Sequence, residues 1–267
     1  SLKKHKFKKP LILISSIKLL KNRMKKFKFK KKIKILDFNQ LNNIHLNNHS
    51  INLIDVKFDF KKESDHIKNC FDIAFKILKK KFSNKFINGP INKSNFLNKK
   101  FLGITEYISR KFGIDKTAML IYNKKLSVCP LTTHLPIKLI SKKINQRLIR
   151  EKIKLINDFY VKNIGFKPKI AVTGLNPHCE SFHKFHEDKK IVIPAVRYLK
   201  KRGYKIEGPF PSDTIFLKQN RKKFNVILGM YHDQVLTPIK TIKEYDAINI
   251  TLGLPFFRVS PDHGPNI

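Results

Sequence analysis

The chain has 267 residues, 41% of them hydrophobic, and carries 57 Lys and Arg against 19 Asp and Glu, a formal net charge of +38. That length holds one large or two modest domains with a sizeable core, and that charge attracts polyanions and steers anionic ligands; no zinc-finger spacing, RNA-binding aromatic motif or basic helix with heptads accompanies it, so specific nucleic-acid binding is not expected. Three cysteines, Cys70, Cys129 and Cys179, without a C-x-x-C, fit a reducing compartment and argue against a disulfide framework, and no apolar run reaches the ~18 residues of a membrane span.

In chain order, Pro10–Ser15 (PLILIS) reads as a strand, Ile17–Lys30 as a basic helix and Lys32–Asp37 as a short strand. Phe38–Asn52 is Asn-rich and reads as loop. Ser64 is placed to cap a helix running to about Lys81, with Ile67, Cys70, Phe71, Ala74, Phe75 and Leu78 on one face. Phe86–Lys93 (FINGPINK) is a strand-to-turn passage with a cation at its exit. Phe101–Ser109 opens a helix with Thr105 and Glu106 near its first turn, where capping and dipole compensation compete with a role in binding.

Ala118–Tyr122 and Leu126–Pro130 read as a strand pair, followed at once by Thr132-Thr133-His134-Leu135-Pro136. A helix is expected over Gln146–Tyr160, a strand over Lys169–Gly174 and a short helix over Ile191–Lys200. Leu175-Asn176-Pro177-His178 leaves that strand. Gly208–Phe216 (GPFPSDTIF) reads as a loop broken by proline, with Asp213 in it. Apolar runs alternating with helical segments argue for an α/β architecture rich in parallel sheet. No Pro/Gly/Ser-rich linker divides the chain, so two domains, if present, interleave.

Phe224–Gly264 is the most informative stretch. Asn225–Met230 reads as a buried strand, and Tyr231, His232, Asp233 and Gln234 follow directly. Ligands in open α/β sheets sit beyond the carboxyl ends of strands, so polar side chains there are candidates for a site. Lys240, Asn249 and Arg258 follow, with a second strand-like run over Ala247–Leu252. Two cations and an amide suit a phosphate or carboxylate; alternatively Lys240 is solvated and Arg258 pairs with a carboxylate such as Asp262.

His134, His178 and His232 each follow an apolar run within a few residues. Three neutral imidazoles at one sheet edge can hold a catalytic divalent metal, although no local metal motif exists. Asp213 and Asp233 are the nearby carboxylates, as supports or proton acceptors. No G-x-G-x-x-G follows a strand, so a nicotinamide nucleotide would bind without the usual fingerprint.

Taken together, GPINK (Gly89–Lys93), TEY (Thr105–Tyr107), TTHLP (Thr132–Pro136), GLNPH (Gly174–His178), GPFPSDTIF, YHDQ (Tyr231–Gln234), INITLGLPFFR (Ile248–Arg258) and DHG (Asp262–Gly264) resemble the 4-hydroxythreonine-4-phosphate dehydrogenase (PdxA) family, in the family's order. The resemblance implies a fold like the isocitrate and isopropylmalate dehydrogenases: a single catalytic unit of two interleaved α/β domains with a central cleft, in a cytoplasmic homodimer with a shared active site. It implies a divalent metal (Zn, Mg or Co) on His134, His178 and His232, one of them given across the interface, and a phosphorylated substrate on Thr105, Lys240, Asn249 and Arg258. The activity implied is NAD- or NADP-dependent oxidation and decarboxylation of 4-phosphohydroxy-L-threonine to 3-amino-2-oxopropyl phosphate, in vitamin B6 (pyridoxal phosphate) biosynthesis.

The sequence departs from the family in three places. Ile104 stands where the G-H-T-E pattern has His. Cys179–His183 replace a Gly-rich segment and run one residue shorter. The N-terminal G-D-P-A-G-I-G-P-E strand and the Gly-rich tail are missing, so truncated ends are expected. Two alternatives remain: a paralogue acting on 4-phospho-threonate or 4-phospho-erythronate, for which Ile104 leaves room, and an inactive relative that binds polyanions through its basic surface.

Overall fold

The computed structural model describes residues 9–91, 96, 101, 103–180 and 186–263. Lys93, the segment 181–183 and Gly264, which figure in the sequence reading, lie outside them. The chain divides into two compact units, Ser1–Phe86 and Ile87–Ile267. Among the described residues no helix is long and apolar enough to cross a membrane.

The first unit holds a parallel three-stranded sheet in the order β1-β3-β2, with β1 at Ile12–Ser15, β2 at Ile33–Ile35 and β3 at Ile51–Asp55. Helix α1 (Ile17–Lys26) joins β1 to β2; Ser16 caps it, accepting from the Lys18 N–H, and its last turn carries Arg23, Lys25 and Lys26, favourable at a helix C-terminus. Helix α2 (Glu63–Lys79) follows β3 and buries Phe71, Ala74, Phe75, Ile77 and Leu78. Ser64 lies inside its first turn and Lys62 occupies the cap without a side-chain bond, so the expected Ser64 cap is not made. Strand β3 corrects the reading of loop up to Asn52. Asn52 sits in the middle of the sheet, 1% exposed, because its amide donates to the carbonyls of Leu11 and Asn47. Strand β4 (Lys85–Ile87) lies across the boundary between the units.

In the second unit the strands run β11-β10-β5-β6-β9-β7-β8. They are β5 (Ala118–Tyr122), β6 (Ser127–Pro130), β7 (Ile170–Thr173), β8 (Ile206–Phe210), β9 (Val226–Gly229), β10 (Ile248–Leu252) and β11 (Phe257–Pro261). The pairs β6/β9, β9/β7 and β7/β8 are parallel; β5/β6, β10/β5 and β10/β11 are antiparallel. The expected parallel sheet is therefore one half of a mixed one.

Helices cover both faces, as a sheet with continuous apolar strands requires. On one face α5 (Gln146–Phe159) and α6 (Ile193–Lys201) pack Ile149, Ile153, Ile156, Ala195, Val196 and Leu199 against Leu120, Cys129, Ile170, Val172, Leu228 and Ile250. Asn145 starts α5 by accepting from the Leu148 N–H, and Ile149, Ile153 and Ile156 recur at helical spacing with no exposed surface. Each such isoleucine contributes about 1.5–3 kcal/mol of burial. On the other face α9 (His232–Lys243) packs Val235, Leu236 and Ile239 against Ile121, Val128, Ala171 and Ile227.

Four smaller helices also belong to the second unit: α3 (Ile104–Lys111), α4 (Ile137–Lys143) and two single turns, α7 (Ser212–Ile215) and α8 (Lys218–Arg221). The segment read as a proline-broken loop, Gly208–Phe216, is instead the end of β8 and all of α7. The prolines mark the junction, where Pro211 caps the turn.

Candidate active site

The parallel half of the sheet fixes where the histidines go. β6 and β9 are in register at Pro130 and Gly229. The ladder then continues past both strands: the Leu131 N–H donates to the Gly229 carbonyl at 2.7 Å, and the Thr132 hydroxyl donates to the Met230 carbonyl at 2.8 Å. Two residues further on each chain, His134 and His232 face one another with ring centroids 6.0 Å apart. Both line one pocket with Thr132, Leu135, Ile137, Tyr231 and Asp233. His134 holds φ at +50°, a conformation rare outside glycine and concentrated at functional sites. Gly103 packs so closely here that a Cβ would come within 2.7 Å of Glu106 Oε2 and 3.0 Å of His134 Cε1.

His178 leaves β7, the neighbour of β9 on its other side, through the turn Pro177–Cys179, also at positive φ (+56°). The three histidines thus leave the carboxyl ends of three adjacent parallel strands. His134 and His232 meet; His178 is exposed and does not line their pocket. The loop that carries it is fixed by Asp188, which is fully buried and accepts from the N–H groups of Leu175 (2.7 Å) and Asn176 (3.0 Å) and from the Asn176 amide (2.9 Å). Gln234 pins the same exit to β9. Its Oε1 accepts from the Thr173 hydroxyl and the Met230 N–H, and its amide donates to the Gly174 carbonyl, all at 2.7 Å. Gly229 has to be glycine at this point, since a Cβ would overlap the Val235 side chain.

The carboxylates divide. Asp233 is exposed and sits 2.7 Å from His232 Nδ1, leaving Nε2 to face the pocket chemistry. Glu106 Oε1 stands 3.7 Å from His134 Nδ1. Asp213 is exposed on α7, and its charge acts instead on Cys179; that thiol is pushed up to about 11, by burial first and then by Asp188. Among the described residues no group of three or more His, Cys, Asp or Glu is arranged to hold a metal. His134 and His232, ring centroids 6.0 Å apart, are the two imidazoles lining this pocket, and neutral imidazole is a common ligand of divalent metals.

The antiparallel half builds the second part of the site. Asn249 stands opposite Ser260, and Thr251 opposite Arg258. Residues directly opposite in an antiparallel pair share a face, so all four lie on the α9 side of the sheet, with Ile121 and Met119. Arg258 is 2% exposed. Its Nε donates to Asn88 Oδ1 at 2.9 Å, and one terminal nitrogen donates to Thr251 Oγ1 at 2.7 Å and to Thr105 Oγ1 at 3.3 Å. All three partners are neutral oxygens, and the second terminal nitrogen takes part in none of these bonds. Burial pulls the guanidinium down to about 10, against the charge of Glu106, which raises it; at neutral pH it remains a cation. The Oδ1 atom of Asn249 is buried and has no hydrogen-bond partner among the described residues.

Lys240, near the end of α9, is bound to Asp262 just beyond β11. Its ammonium donates to the Asp262 carboxylate at 2.6 Å and to the Asp262 carbonyl at 2.9 Å. No hydrogen bond joins it to Asn249 or Arg258 among the described residues. Asp262 therefore pairs with Lys240, and the hydrogen bonds of Arg258 among the described residues reach no carboxylate. Asn88, Thr251, Gln234, Asp188 and Asp262 were not singled out from sequence for these roles.

The sequence profile of the family described as "Pyridoxal phosphate biosynthetic protein PdxA" matches residues 6–267. A relative described as 4-hydroxythreonine-4-phosphate dehydrogenase, from Sulfurihydrogenibium sp. (strain YO3AOP1), is 37% identical over 222 residues, covering 80% of this chain and 68% of the relative. One described as D-threonate 4-phosphate dehydrogenase, from Pectobacterium atrosepticum, is 33% identical over 204 residues, 72% of this chain and 62% of the relative. Several other curated relatives are matched over little more than half their length, 55% for that of Aquifex aeolicus. Among solved structures, a 4-hydroxythreonine-4-phosphate dehydrogenase from Klebsiella pneumoniae superposes with a TM-score of 0.78 at 27% identity, over 95% of this chain and 81% of that one.

Proposed function

We propose that this chain, which belongs to the PdxA family of pyridoxal phosphate biosynthetic proteins, oxidises 4-phosphohydroxy-L-threonine with NAD or NADP and decarboxylates the product to 3-amino-2-oxopropyl phosphate. The dehydrogenase names of its relatives support the oxidation. The observation that carries the reading is Arg258: a buried cation whose hydrogen bonds among the described residues go to neutral oxygens alone, on the same sheet face as Asn249. A buried cation whose hydrogen bonds reach no carboxylate among the described residues suits a phosphate or carboxylate ligand. Phosphate held there, with Thr105 and Asn249 beside it, positions the reacting carbon from a distance.

His134 and His232 would hold a divalent ion (Zn, Mg or Co), with His178 of a second copy as third ligand in a homodimer. Such an ion supplies Lewis acidity toward a substrate oxygen. Asp233 fixes the His232 ring with Nε2 free, and Asp213 and Asp233 are the carboxylates available to accept a proton. The test is to incubate the full chain with substrate, Zn2+ or Mg2+, and each nucleotide in turn, following nucleotide reduction and CO2 release. Absence of reduction with every combination overturns the reading; reduction without CO2 overturns the decarboxylation.

A second reading is favoured by Ile104. It opens α3 beside Thr105 and is 7% exposed, so it offers a substrate no hydrogen bond where the resemblance expects His. A substrate lacking the amino group, such as D-threonate 4-phosphate, loses less from that change. A higher kcat/KM on the sugar acid than on the amino acid reassigns the substrate.

A further inference from the structure

The two cations of the anion site are held differently. Arg258 keeps its charge among neutral oxygens. Lys240 does not: the Asp262 side chain is only 2% exposed, and Lys240, one-third exposed, gives two of its three N–H groups to that one residue. A buried carboxylate stripped of its cation is strongly destabilising. Lys240 therefore does not leave Asp262 to meet an anion; the anion joins the pair through the remaining N–H.

From this geometry we infer that Asp262 is a positioning and charge-compensating residue that holds Lys240 in place and limits how tightly the site binds anions. The inference rests on the reading of Lys240 as an anion contact. Its consequence runs against the usual expectation for a site residue: removing the Asp262 charge strengthens anion binding, because the anion then meets an uncompensated ammonium and one repulsive carboxylate fewer. An enzyme that releases a phosphorylated product gains from that limit, since over-tight binding slows release.

The test uses the full chain and inorganic phosphate, titrated calorimetrically. Asp262→Asn keeps a hydrogen-bond acceptor for Lys240 and is expected to tighten phosphate binding roughly tenfold, the scale of one charge removed at close range in a partly screened site. Asp262→Ser, smaller and also uncharged, is expected to move in the same direction, and either variant suffices if the other fails to fold. The gain has to vanish in Lys240→Met/Asp262→Asn. Unchanged or weaker phosphate binding in the folded Asp262 variants overturns the inference. If Lys240→Met alone leaves phosphate binding unchanged, the reading of Lys240 as an anion contact fails, and the inference falls with it. If Lys240→Met weakens binding while Asp262→Asn does not tighten it, only the inference fails.

Discussion

Gln234 offers the sharpest test of how the fold holds the histidines. It sits two residues after His232, is 8% exposed, and bonds to β7 and β9 at once through the Thr173 hydroxyl, the Met230 N–H and the Gly174 carbonyl. Gln234→Leu keeps most of the volume and removes all three bonds. Three buried groups are then left without partners, Thr173 and Met230 having no exposed surface at all. Each unsatisfied group costs about 1–3 kcal/mol. Because the three share one cavity, the sum is less than additive, and a loss of about 3–6 kcal/mol is expected, a large part of a typical domain's ~5–15 kcal/mol. Thr173→Val is the internal standard. It removes one donor, leaves Gln234 bound to Met230 and Gly174, and should cost ~1 kcal/mol. Urea unfolding of both variants, followed by circular dichroism, gives the comparison through the midpoint, provided the slope is unchanged. If Gln234→Leu costs no more than Thr173→Val, the strand exits are not held by this amide, and the physical account of the site's rigidity is wrong.

Three further outcomes are expected. Arg258→Lys keeps the charge but loses the fork that meets Asn88, Thr105 and Thr251; kcat/KM on a phosphorylated substrate should fall by about 2–3 kcal/mol with Zn2+ affinity unchanged, and unaltered kinetics would remove Arg258 from the site. His134→Ala and His232→Ala should each weaken Zn2+ binding more than about tenfold in calorimetric titration; an unaffected affinity in either variant breaks the pair. Glu151 is held below its ordinary value of 4.5, first by its bond to Arg147 and then by Lys116. A lowered carboxylate pKa adds stability above pH 4.5 that is lost as pH falls through the folded value, so Glu151→Gln should cost about 0.5 kcal/mol at pH 7, less in high salt, and nothing at pH 2–3. A penalty that persists in acid would mean the residue acts through packing instead of charge.

Much of the fold was legible where periodicity and composition agreed. The helix expected over Gln146–Tyr160 and the buried strand expected over Asn225–Met230 match α5 and β9 nearly to the residue. The failures share a cause: a polar or proline residue inside an element whose cost is met by tertiary contacts. β3 was hidden by Asn52, whose amide is satisfied only once Leu11 and Asn47 are brought to it. β11 was hidden by Arg258, since a buried arginine in a five-residue strand reads as surface until Asn88, Thr105 and Thr251 are known to surround it. α9 carries Pro238 in its interior, where a proline ordinarily ends a helix; burial of Val235, Leu236 and Ile239 against the sheet outweighs the lost bond.

The same distinction separates the two halves of the site. Histidines at strand exits are visible in sequence because a parallel sheet delivers consecutive exits to one edge whatever the detailed register, and the strand order β6-β9-β7 needs only to put the three strands side by side. Whether the rings touch is another matter. It depends on Pro130 standing opposite Gly229 and on the Thr132 bond to Met230, which bring His134 and His232 to 6.0 Å while His178, leaving through a separate turn, stays apart. The anion half is set by register alone. A one-residue slip between β10 and β11 would turn Arg258 or Asn249 to the opposite, apolar face of the sheet. Nothing in the local pattern of either strand announces the register that prevents it. What holds the register is the cradle itself: Thr251 across the ladder, Asn88 and Thr105 beside it, and Asp262 drawn to Lys240 at the far end. The groups proposed to hold an anion on this face are thus the groups that keep the hairpin in place, so a substitution there should be scored for stability before its loss of activity is read as chemistry.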